Sequence, residues 1–355
     1  MNMNDFLLSS DIDQIVERIV PEAQAFAGRT VLLTGGRGFL GRYFMEVFAA
    51  LNDRILDDPV QLVAMDNLIT AGKEGRQIPE YPNVEFVEHD VIRSFKWDRS
   101  LDYVIHAAGI ASPYYYRAYP LETLEVAITG TRRMLELAEA HNARFVFFSS
   151  SEIYGDPDPN HVPMKESYRG NVSCQGPRAC YDESKRLGET LCYIFQGSYG
   201  THTNTIRPFN VFGPGMQETD YRVLPNFASR IKGGLPLHVY GSGNQTRTFC
   251  YITDAIVGFL LVILNGVSGE AYNIGNPNPE ISMVDLVGRI AKVSSREVAH
   301  QIVNYPDSYP ADEPNRRAPD IRKARLQLKY EPIVALDDGL KRFLDWSDNV
   351  YTGEQ

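Results

Sequence analysis

Cysteine is scarce in this sequence, and the few that occur follow no recognised pattern. The chain of 355 residues has four cysteines, which form neither a CxxC pair nor a metal-ligand spacing. A disulfide framework is a feature of small secreted domains and is not expected at this length. We therefore expect buried or inert thiols and no metal site. The cysteines are Cys174, Cys180, Cys192 and Cys250.

Positive charge is also in short supply. Lys and Arg number 35 against 45 Asp and Glu, which gives a net charge of −10, and there is no long basic run. Proteins that bind a nucleic-acid backbone carry a basic patch, so we expect no nucleic-acid partner. If this acidic protein binds an anionic ligand, it must do so through a local cluster of arginines and lysines.

Long apolar runs are missing too. The best candidate, Ile256 to Leu264, is far too short to cross a bilayer. Residues 1–5 lack the positive charge and the apolar core of a signal peptide. We therefore expect a cytoplasmic protein with no membrane partner, and its length is sufficient for two lobes.

The first recognisable element is a short amphipathic helix at residues 10–20. A Ser-Asp pair can cap its start, and Pro21 is expected to limit it on the C-terminal side. Two roles stay open for this extension, which can pack on the main body or contribute to dimer contacts. The apolar face consists of Ile12, Ile15, Val16, Ile19 and Val20.

An alternation of strands and helices follows, and it opens with a glycine-rich turn. The apolar run Thr30 to Thr34 has the composition of a parallel strand that is buried on both faces. Glycines at 35, 38 and 41 then permit a tight turn, so that a pyrophosphate can sit on the N-terminus of the next helix. Any strand-to-helix turn can use glycine, so this signal alone is weak.

An acidic residue strengthens the prediction of a dinucleotide site. The second apolar run, residues 61–65, ends at Asp66. A carboxylate there can accept hydrogen bonds from both hydroxyls of the adenosine ribose and would repel a 2′-phosphate, which favours NAD over NADP. The alternative is that Asp66 is a simple turn residue. Because the two features occur in register, dinucleotide binding is the stronger interpretation.

Later strands end in further candidate residues. Asp90 and Val91 follow the third strand, where the aspartate can reach an adenine amino group. Ala107 and Ala108 follow the fourth strand, and such small residues either let backbone lie against a cofactor or simply pack. His106 has no second metal ligand at a suitable spacing and is expected to be structural.

The region from Ser149 to Lys185 carries the predicted chemistry. Tyr181 and Lys185 are spaced i, i+4 and share a helix face. A tyrosine with a pKa of about 10 is a poor base at neutral pH, but a nearby lysine cation and an oxidised nicotinamide favour the phenolate. Tyr181 could then remove the proton of a substrate hydroxyl, and Ser150 would hydrogen-bond the oxygen of that hydroxyl. With 20 tyrosines in the chain, a chance YxxxK is the alternative.

Taken in order, TGGRGFLG (34–41), HAAG (106–109), SSSEIYG (149–155) and YDESK (181–185) resemble the extended short-chain dehydrogenase/reductase family. The resemblance runs from about Thr30 to about Leu340. It implies a Rossmann-type doubly wound parallel sheet with a smaller α/β lobe, NAD as cofactor and a nucleotide sugar as substrate. The stretches at 155–157, 171–186 and 240–249 are most similar to the UDP-glucuronate decarboxylases of that family.

The resemblance also assigns roles to residues. The implied catalytic residues are Ser150, Glu152, Tyr181 and Lys185. The implied cofactor-binding residues are Gly35, Gly38, Phe39, Leu40, Gly41, Asp66, Asn67, Asp90, Val91, Ala107 and Ala108, together with Tyr181 and Lys185. The implied substrate-binding residues are Asn210, Arg222, Arg247 and Arg317, although a surface salt bridge stays open for Arg317.

The family pattern divides the chain into three parts. These are an N-terminal helical extension (1–28), an NAD-binding domain (29–206, with 238–266) and a nucleotide-sugar lobe (207–237 with 267–345). The strand from Thr203 to Ile206 is expected to be the last one in the cofactor lobe. Long helices at 121–140 and 181–198 are expected to form a homodimer through a four-helix bundle.

Ser151 and Glu152 discriminate between reactions. Nucleotide-hexose 4,6-dehydratases carry Asp before Glu here, because expelling a hydroxyl requires an acid that serine cannot supply. The pair therefore favours decarboxylation of a nucleotide-linked uronic acid, UDP-glucuronate to UDP-xylose. A 4-epimerase, a 4,6-dehydratase and a non-catalytic NAD(H) sensor stay as alternatives. Three departures from the family pattern leave the exact sugar open: Ala127, Ser184 and Gly215.

Overall fold

A seven-stranded parallel sheet forms the centre of the protein. The computed structural model describes residues 6–72, 80–294, 296–305 and 314–353. From one edge to the other, the strands are Ala271–Ile274, Thr203–Pro208, Arg144–Phe148, Tyr103–His106, Thr30–Thr34, Gln61–Asp66 and Val84–Glu88. All neighbours in this order are parallel, as the Rossmann-type prediction requires.

Both faces of the sheet are buried. Along the first strand, Val31 and Leu33 belong to one apolar cluster, whereas Leu32 belongs to another on the opposite face. Successive side chains of a strand point to opposite faces, so the two clusters are the two layers between sheet and helices. This arrangement confirms the predicted doubly wound α/β class.

Helices precede the sheet, connect its strands and continue into the rest of the chain. They are Ser9–Ala23, Phe39–Arg54, Pro113–Ala118, Pro120–Glu125, Thr131–Ala140, Ala179–Tyr199, Val223–Lys232, Ile252–Asn265, Met283–Ser294, Arg322–Leu328 and Leu336–Val350. A π-helical segment, Val126–Gly130, joins two of these, so the helix predicted at 121–140 contains one wider turn. Within the described residues, no helix is both long enough and apolar enough to span a membrane.

Two details of the sequence prediction are wrong. The first helix does not stop at Pro21 but continues through it to Ala23. A proline in the last turn removes only one backbone hydrogen bond, and the packed apolar face outweighs that loss. The sheet also does not end with the strand at 203–208, because Ala271–Ile274 pairs beside it. This four-residue strand lies within the range predicted for the second lobe.

Three smaller sheets lie outside the central one. Leu237–Tyr240 pairs with His300–Val303, and Val211–Phe212 pairs with Cys250–Tyr251. The third sheet has the order Ile281–Ser282, Thr246–Arg247, Arg316–Arg317. Residues 237–251 therefore belong with these small sheets. We propose that the second lobe includes them and that the strand 271–274 belongs to the cofactor lobe.

The N-terminal extension packs on the main body through buried charge as well as apolar contacts. Asp11 is fully buried and accepts hydrogen bonds from the Tyr251 hydroxyl (2.6 Å) and from Arg342 (3.1 Å). Arg18 forms an ion pair with buried Asp254 at 2.6 Å. Of the two roles left open for the extension, packing on the body is therefore present within one chain.

Candidate active site

The carboxyl ends of the central strands open into one cleft. In parallel α/β sheets, ligands bind at this edge because the loops there leave a crevice. The cleft is lined by every residue that the sequence predicted for cofactor, substrate and catalysis, from Gly35 to Arg317. It is also lined by residues that the sequence did not single out, among them Tyr116, Arg178 and Tyr221.

The glycine turn is packed too tightly for a side chain at Gly35 or at Gly41. A Cβ atom on Gly41 would lie 2.2 Å from the carbonyl oxygen of Gly35, and one on Gly35 would lie 2.9 Å from the Ala107 backbone. The helix that begins at Phe39 therefore starts directly at the sheet edge. The first N–H groups of a helix have no partner within it, so they form a site for an anion such as a pyrophosphate.

Asp66 is held rigidly at the end of the second strand. Its two carboxylate oxygens accept hydrogen bonds from the backbone N–H groups of Leu68 (2.7 Å) and Arg37 (2.9 Å). Burial raises the pKa of Asp66, and these backbone donors partly offset the effect. The carboxylate faces the cleft in a fixed position, which fits the ribose of an adenine dinucleotide.

A buried histidine, His106, lies beside the glycine turn between two threonine hydroxyls. His106 is fully buried, and its ring nitrogens lie 2.7 Å from the Thr34 hydroxyl and 3.1 Å from the Thr131 hydroxyl. Burial lowers the pKa of His106 to about 3. In the described part of the chain, no cluster of three His, Cys, Asp or Glu side chains is suited to a metal ion.

The predicted catalytic residues meet at the carboxyl end of the strand Arg144–Phe148. Ser150 hydrogen-bonds Tyr181, and the Tyr181 ring stacks on Tyr116 with a centroid distance of 5.4 Å. Lys185 lies 5.8 Å from the centre of the Tyr181 ring and donates a hydrogen bond of 2.7 Å to the Phe148 carbonyl. Ser150, Tyr181 and Lys185 thus line one cleft, and Tyr181 and Lys185 share a helix face, as their i, i+4 spacing predicted.

Burial pushes both titrating partners towards their neutral forms. It raises the pKa of Tyr181 to about 12, and the Ser150 hydrogen bond offsets only part of this rise. Burial also lowers the pKa of Lys185 to about 8, with the charge of Glu189 acting in the opposite direction. Arg222 contributes a positive charge near Tyr181 that the sequence analysis did not connect with the base.

Glu152 is the most strongly paired acid in the cleft. Arg317 binds it through two parallel contacts of 2.5 and 2.6 Å, and Arg178 forms a further ion pair with it. Burial alone would raise the pKa of Glu152, but Arg317, Arg178 and Arg247 together hold it below the usual value. The salt bridge left open for Arg317 exists, but it is buried inside the cleft and not on the surface.

Asp182 is a buried acid that sequence reasoning missed. It lies 3.5 Å from Arg178, and its Oδ1 atom has no hydrogen-bond partner. Burial and the nearby charge of Glu152 raise the pKa of Asp182. The available signal was its position one residue after Tyr181 and four residues after Arg178, which places it on the Arg178 side of the same helix.

The predicted substrate residues all follow the strand Thr203–Pro208 in the chain and line the cleft. Asn210 adopts a left-handed conformation (φ 40°), which asparagine tolerates, and donates to the Thr248 carbonyl at 2.7 Å. Arg222 is paired with Asp220, and Arg247 donates to the Thr246 carbonyl at 2.8 Å. The cleft therefore has the arginine cluster that an acidic protein needs for an anionic ligand.

The departures from the family pattern leave the catalytic geometry intact. The Ser184 hydroxyl donates to the Tyr181 carbonyl at 2.7 Å within its own helix, so it does not compete with Lys185 for a partner. Ala127 is buried within the π-helical segment Val126–Gly130. Gly215 lies beside the N-terminal extension, where Leu7 and Phe6 are its neighbours.

With this geometry in place, comparison with known proteins identifies the family. The sequence model of the NAD dependent epimerase/dehydratase family matches residues 31–275. The chain belongs to this family. The cofactor is NAD, and the glycine turn together with the fixed carboxylate of Asp66 provides a suitable cradle for it.

Relatives and solved structures within the family are similar over nearly the whole chain. UDP-glucuronic acid decarboxylase 1 from Xenopus tropicalis is 38% identical over 90% of this chain and 72% of its own length. An epimerase from Methanothermobacter thermautotrophicus superposes with a TM-score of 0.77, at 29% identity over 92% of this chain and 94% of that one. UDP-glucuronic acid 4-epimerase from Bacillus cereus, solved with UDP-glucuronic acid and NAD, has a TM-score of 0.76 at 23% identity, covering 91% and 100%.

Replacing Asp66 with Asn tests the cofactor assignment. The amide keeps the side chain's shape but removes the charge that pairs with ribose hydroxyls and repels a 2′-phosphate. We expect the Kd for NAD to rise about tenfold and the preference over NADP to shrink, as calorimetry with each cofactor would measure. Glu88→Gln is the matched control, because Glu88 pairs in register with Asp66 but is exposed. Unchanged affinity for both cofactors would remove Asp66 from the site.

Replacing Asp182 with Asn tests the buried acid through pH. Because the folded-state pKa is raised, the folded protein retains a proton that the unfolded chain loses above about pH 4, so stability falls as pH rises. Asparagine removes this dependence. We expect the stability of the variant relative to the native protein to be greater at pH 8 than at pH 4, by about 1 kcal/mol or more in urea unfolding. An equal difference at both pH values would contradict the raised pKa. Glu183→Gln, half-buried on the same helix, is the control.

Proposed function

We propose that this protein is an NAD-dependent decarboxylase of a nucleotide-linked uronic acid and converts UDP-glucuronate to UDP-xylose. The observation that carries this proposal is the environment of Glu152. Three arginines hold it as an anion, and buried Ser151 precedes it where a dehydratase needs an acid. The cleft therefore lacks, at this position, the proton donor for expelling a hydroxyl. The similarity to UDP-glucuronic acid decarboxylases at 38% identity supports the same conclusion.

The chain's own residues handle the proton of the C4 hydroxyl. Ser150 orients the hydroxyl oxygen, and Tyr181 removes its proton. Since burial holds the phenol protonated in the free site, the positive charges of Lys185 and Arg222 must favour the phenolate when ligands are bound. NAD, when bound, supplies the reversible two-electron oxidation at C4 and the final re-reduction, so it is regenerated.

Oxidation at C4 gives a β-keto acid, which loses its carboxyl group as carbon dioxide. The electron pair of the broken bond moves towards the ketone and forms an enolate, and a proton then returns to C5. Tyr181 hydrogen-bonds the C4 oxygen throughout and returns its proton during re-reduction. Because Glu152 is held as a carboxylate, it acts as an acceptor that orients a hydroxyl or a water near C5, and Arg317 fixes its direction.

Incubation with UDP-glucuronate and NAD, followed by mass analysis of the product, tests this function directly. We expect the sugar nucleotide to lose the mass of carbon dioxide, because the keto acid forms and collapses in one site. An isomer of unchanged mass would indicate a 4-epimerase, and loss of water would indicate a 4,6-dehydratase. NAD binding with no turnover of any nucleotide sugar would favour a sensor, which does not need the Ser150, Tyr181 and Lys185 set.

Replacing Tyr181 with Phe tests the base. The ring that stacks on Tyr116 stays, whereas the hydroxyl that carries the proton is lost. We expect kcat to fall about 10²–10⁴-fold while the Kd for NAD stays within about threefold. Tyr193→Phe, an exposed tyrosine of the same helix, is the control. Nearly full activity of the Tyr181 variant would exclude the proposed role.

We also propose a homodimer through a four-helix bundle. The helical run from Pro120 to Ala140 packs against the helix Ala179–Tyr199, and this pair presents the exposed apolar side chains of Leu121, Leu187 and Ile194. Leu187 and Ile194 are seven residues apart and share a helix face. The cytoplasmic location stays a prediction.

Light scattering tests the dimer. We expect the native protein to have the mass of two chains at micromolar concentration, and Leu187→Glu/Ile194→Glu to have the mass of one, because the charges would be buried in the bundle. Leu326→Glu changes an exposed leucine on another helix and is the control. A native protein that is monomeric throughout this range would contradict the proposal.

A further inference from the structure

The segment Gly213–Arg222 closes one side of the cleft, and its backbone is held from outside the second lobe. Its residues Met216, Gln217, Asp220, Tyr221 and Arg222 line the cleft. The segment has little regular structure of its own, since it links the strand Val211–Phe212 to the helix Val223–Lys232. Its conformation therefore depends on the groups that bind its carbonyl oxygens.

Three carbonyls in a row accept hydrogen bonds from buried side chains. The Tyr43 hydroxyl donates to Pro214 at 3.0 Å, and Arg42 donates to Gly215 at 2.7 Å. Tyr351, near the C-terminus, donates to Met216 at 2.8 Å. Arg42 and Tyr43 belong to the helix that starts at the glycine turn, so this helix binds the segment directly through two side-chain hydrogen bonds.

The N-terminal extension fills the remaining side of this contact. Gly215 has φ +93°, and a Cβ atom there would lie 2.7 Å from Leu7 Cδ2 and 3.3 Å from Phe6 Cε1. The Arg42 guanidinium lies 3.6 Å from the centre of the Phe6 ring, and Phe6 meets Trp346 edge-on at 5.9 Å. Phe6 and Leu7 therefore occupy the volume that a side chain at position 215 would need.

We propose that Phe6 and Leu7 are positioning residues of the nucleotide-sugar site, acting through Arg42 and Gly215 on the segment Gly213–Arg222. The stacked Phe6 ring keeps the Arg42 guanidinium directed at the Gly215 carbonyl, while Leu7 prevents the glycine from moving outward. The fixed segment in turn presents Arg222 to the cleft beside Tyr181. This inference rests on the proposed function, because it assigns the extension a role in binding that substrate.

The variant Phe6→Ala/Leu7→Ala in the full chain tests the proposal by separating KM from kcat. Without the two side chains the segment must be reordered on each binding event, so we expect KM for UDP-glucuronate to rise about tenfold. Once substrate is bound, the segment is ordered again and Arg222 lies beside Tyr181 as in the native protein, so kcat is expected to stay within about twofold and the Kd for NAD to stay unchanged. The variant Leu7→Met, made alone in the native protein, keeps most of the side-chain volume, so its KM is expected to stay near the native value.

Ile19→Ala is the control for simple loss of stability. Ile19 is fully buried on the same extension, more than two helical turns beyond Phe6 and Leu7, so its truncation lowers the melting temperature through lost core packing. If Ile19→Ala raises KM as much as the double variant does, or if the double variant leaves KM unchanged, the proposal is wrong.

A second measurement uses the close contact at Gly215. Gly215→Ala is expected to raise KM, both through strain at positive φ and through the clash with Leu7. Combined with Leu7→Ala, which opens space, the added effect of Gly215→Ala on KM is expected to be several-fold smaller; strict additivity would overturn the proposed contact.

Binding of UDP, measured by calorimetry, keeps the two proposals distinguishable. If the native protein does not convert UDP-glucuronate, the proposed function fails, but the affinity for UDP still reports on the segment. We expect the double variant to bind UDP about tenfold more weakly than the native protein. Equal UDP affinity in both proteins would overturn the positioning role whichever reaction the enzyme catalyses.

Discussion

The buried ion pair between Glu152 and Arg317 is the interaction on which the site depends most. Glu152 follows the strand Arg144–Phe148 of the main sheet, and Arg317 belongs to a strand of a small three-stranded sheet, so their two parallel contacts of 2.5 and 2.6 Å join the two sheets inside the cleft. Removing two charges from water is expensive unless each finds several partners. Arg178 supplies a further partner to the carboxylate, and together with Arg317 and Arg247 it holds the pKa of Glu152 below the usual value.

The same burial that isolates this pair sets the behaviour of the other titrating groups. Burial raises the pKa of Tyr181 and lowers the pKa of Lys185, so in the free site it disfavours both the tyrosinate and the ammonium that catalysis uses. Ligand charge then becomes part of the catalytic machinery. A site of this kind has little capacity for proton transfer until cofactor and substrate are both in place, because burial keeps Tyr181 protonated without them.

Local patterns made most of the fold predictable, together with the site residues that lie at strand ends and in the glycine turn. Apolar runs that end in glycine, aspartate or serine mark the strand ends, and the edge of a parallel sheet brings those ends together, which is why Gly35, Asp66 and Ser150 line one cleft. The Glu152–Arg317 pair could not be foreseen as a contact, since 165 residues separate its members and no local pattern connects them. The strand Ala271–Ile274 was assigned to the other lobe because its pairing with Thr203–Pro208 joins segments that are distant in sequence, and no local pattern connects them.

The N-terminal extension shows how a peripheral helix can be held in one register. Apolar packing alone tolerates small shifts along a helix, whereas a buried carboxylate has few acceptable positions. Burial raises the pKa of Asp11, and the Tyr251 hydroxyl and Arg342 oppose that rise. Arg18, which lies more than one turn beyond Asp11 in the same helix, forms an ion pair with Asp254. Two polar contacts on one helix define its position along the axis, and this places Phe6 and Leu7 over Gly215 at a distance where a single added carbon would collide.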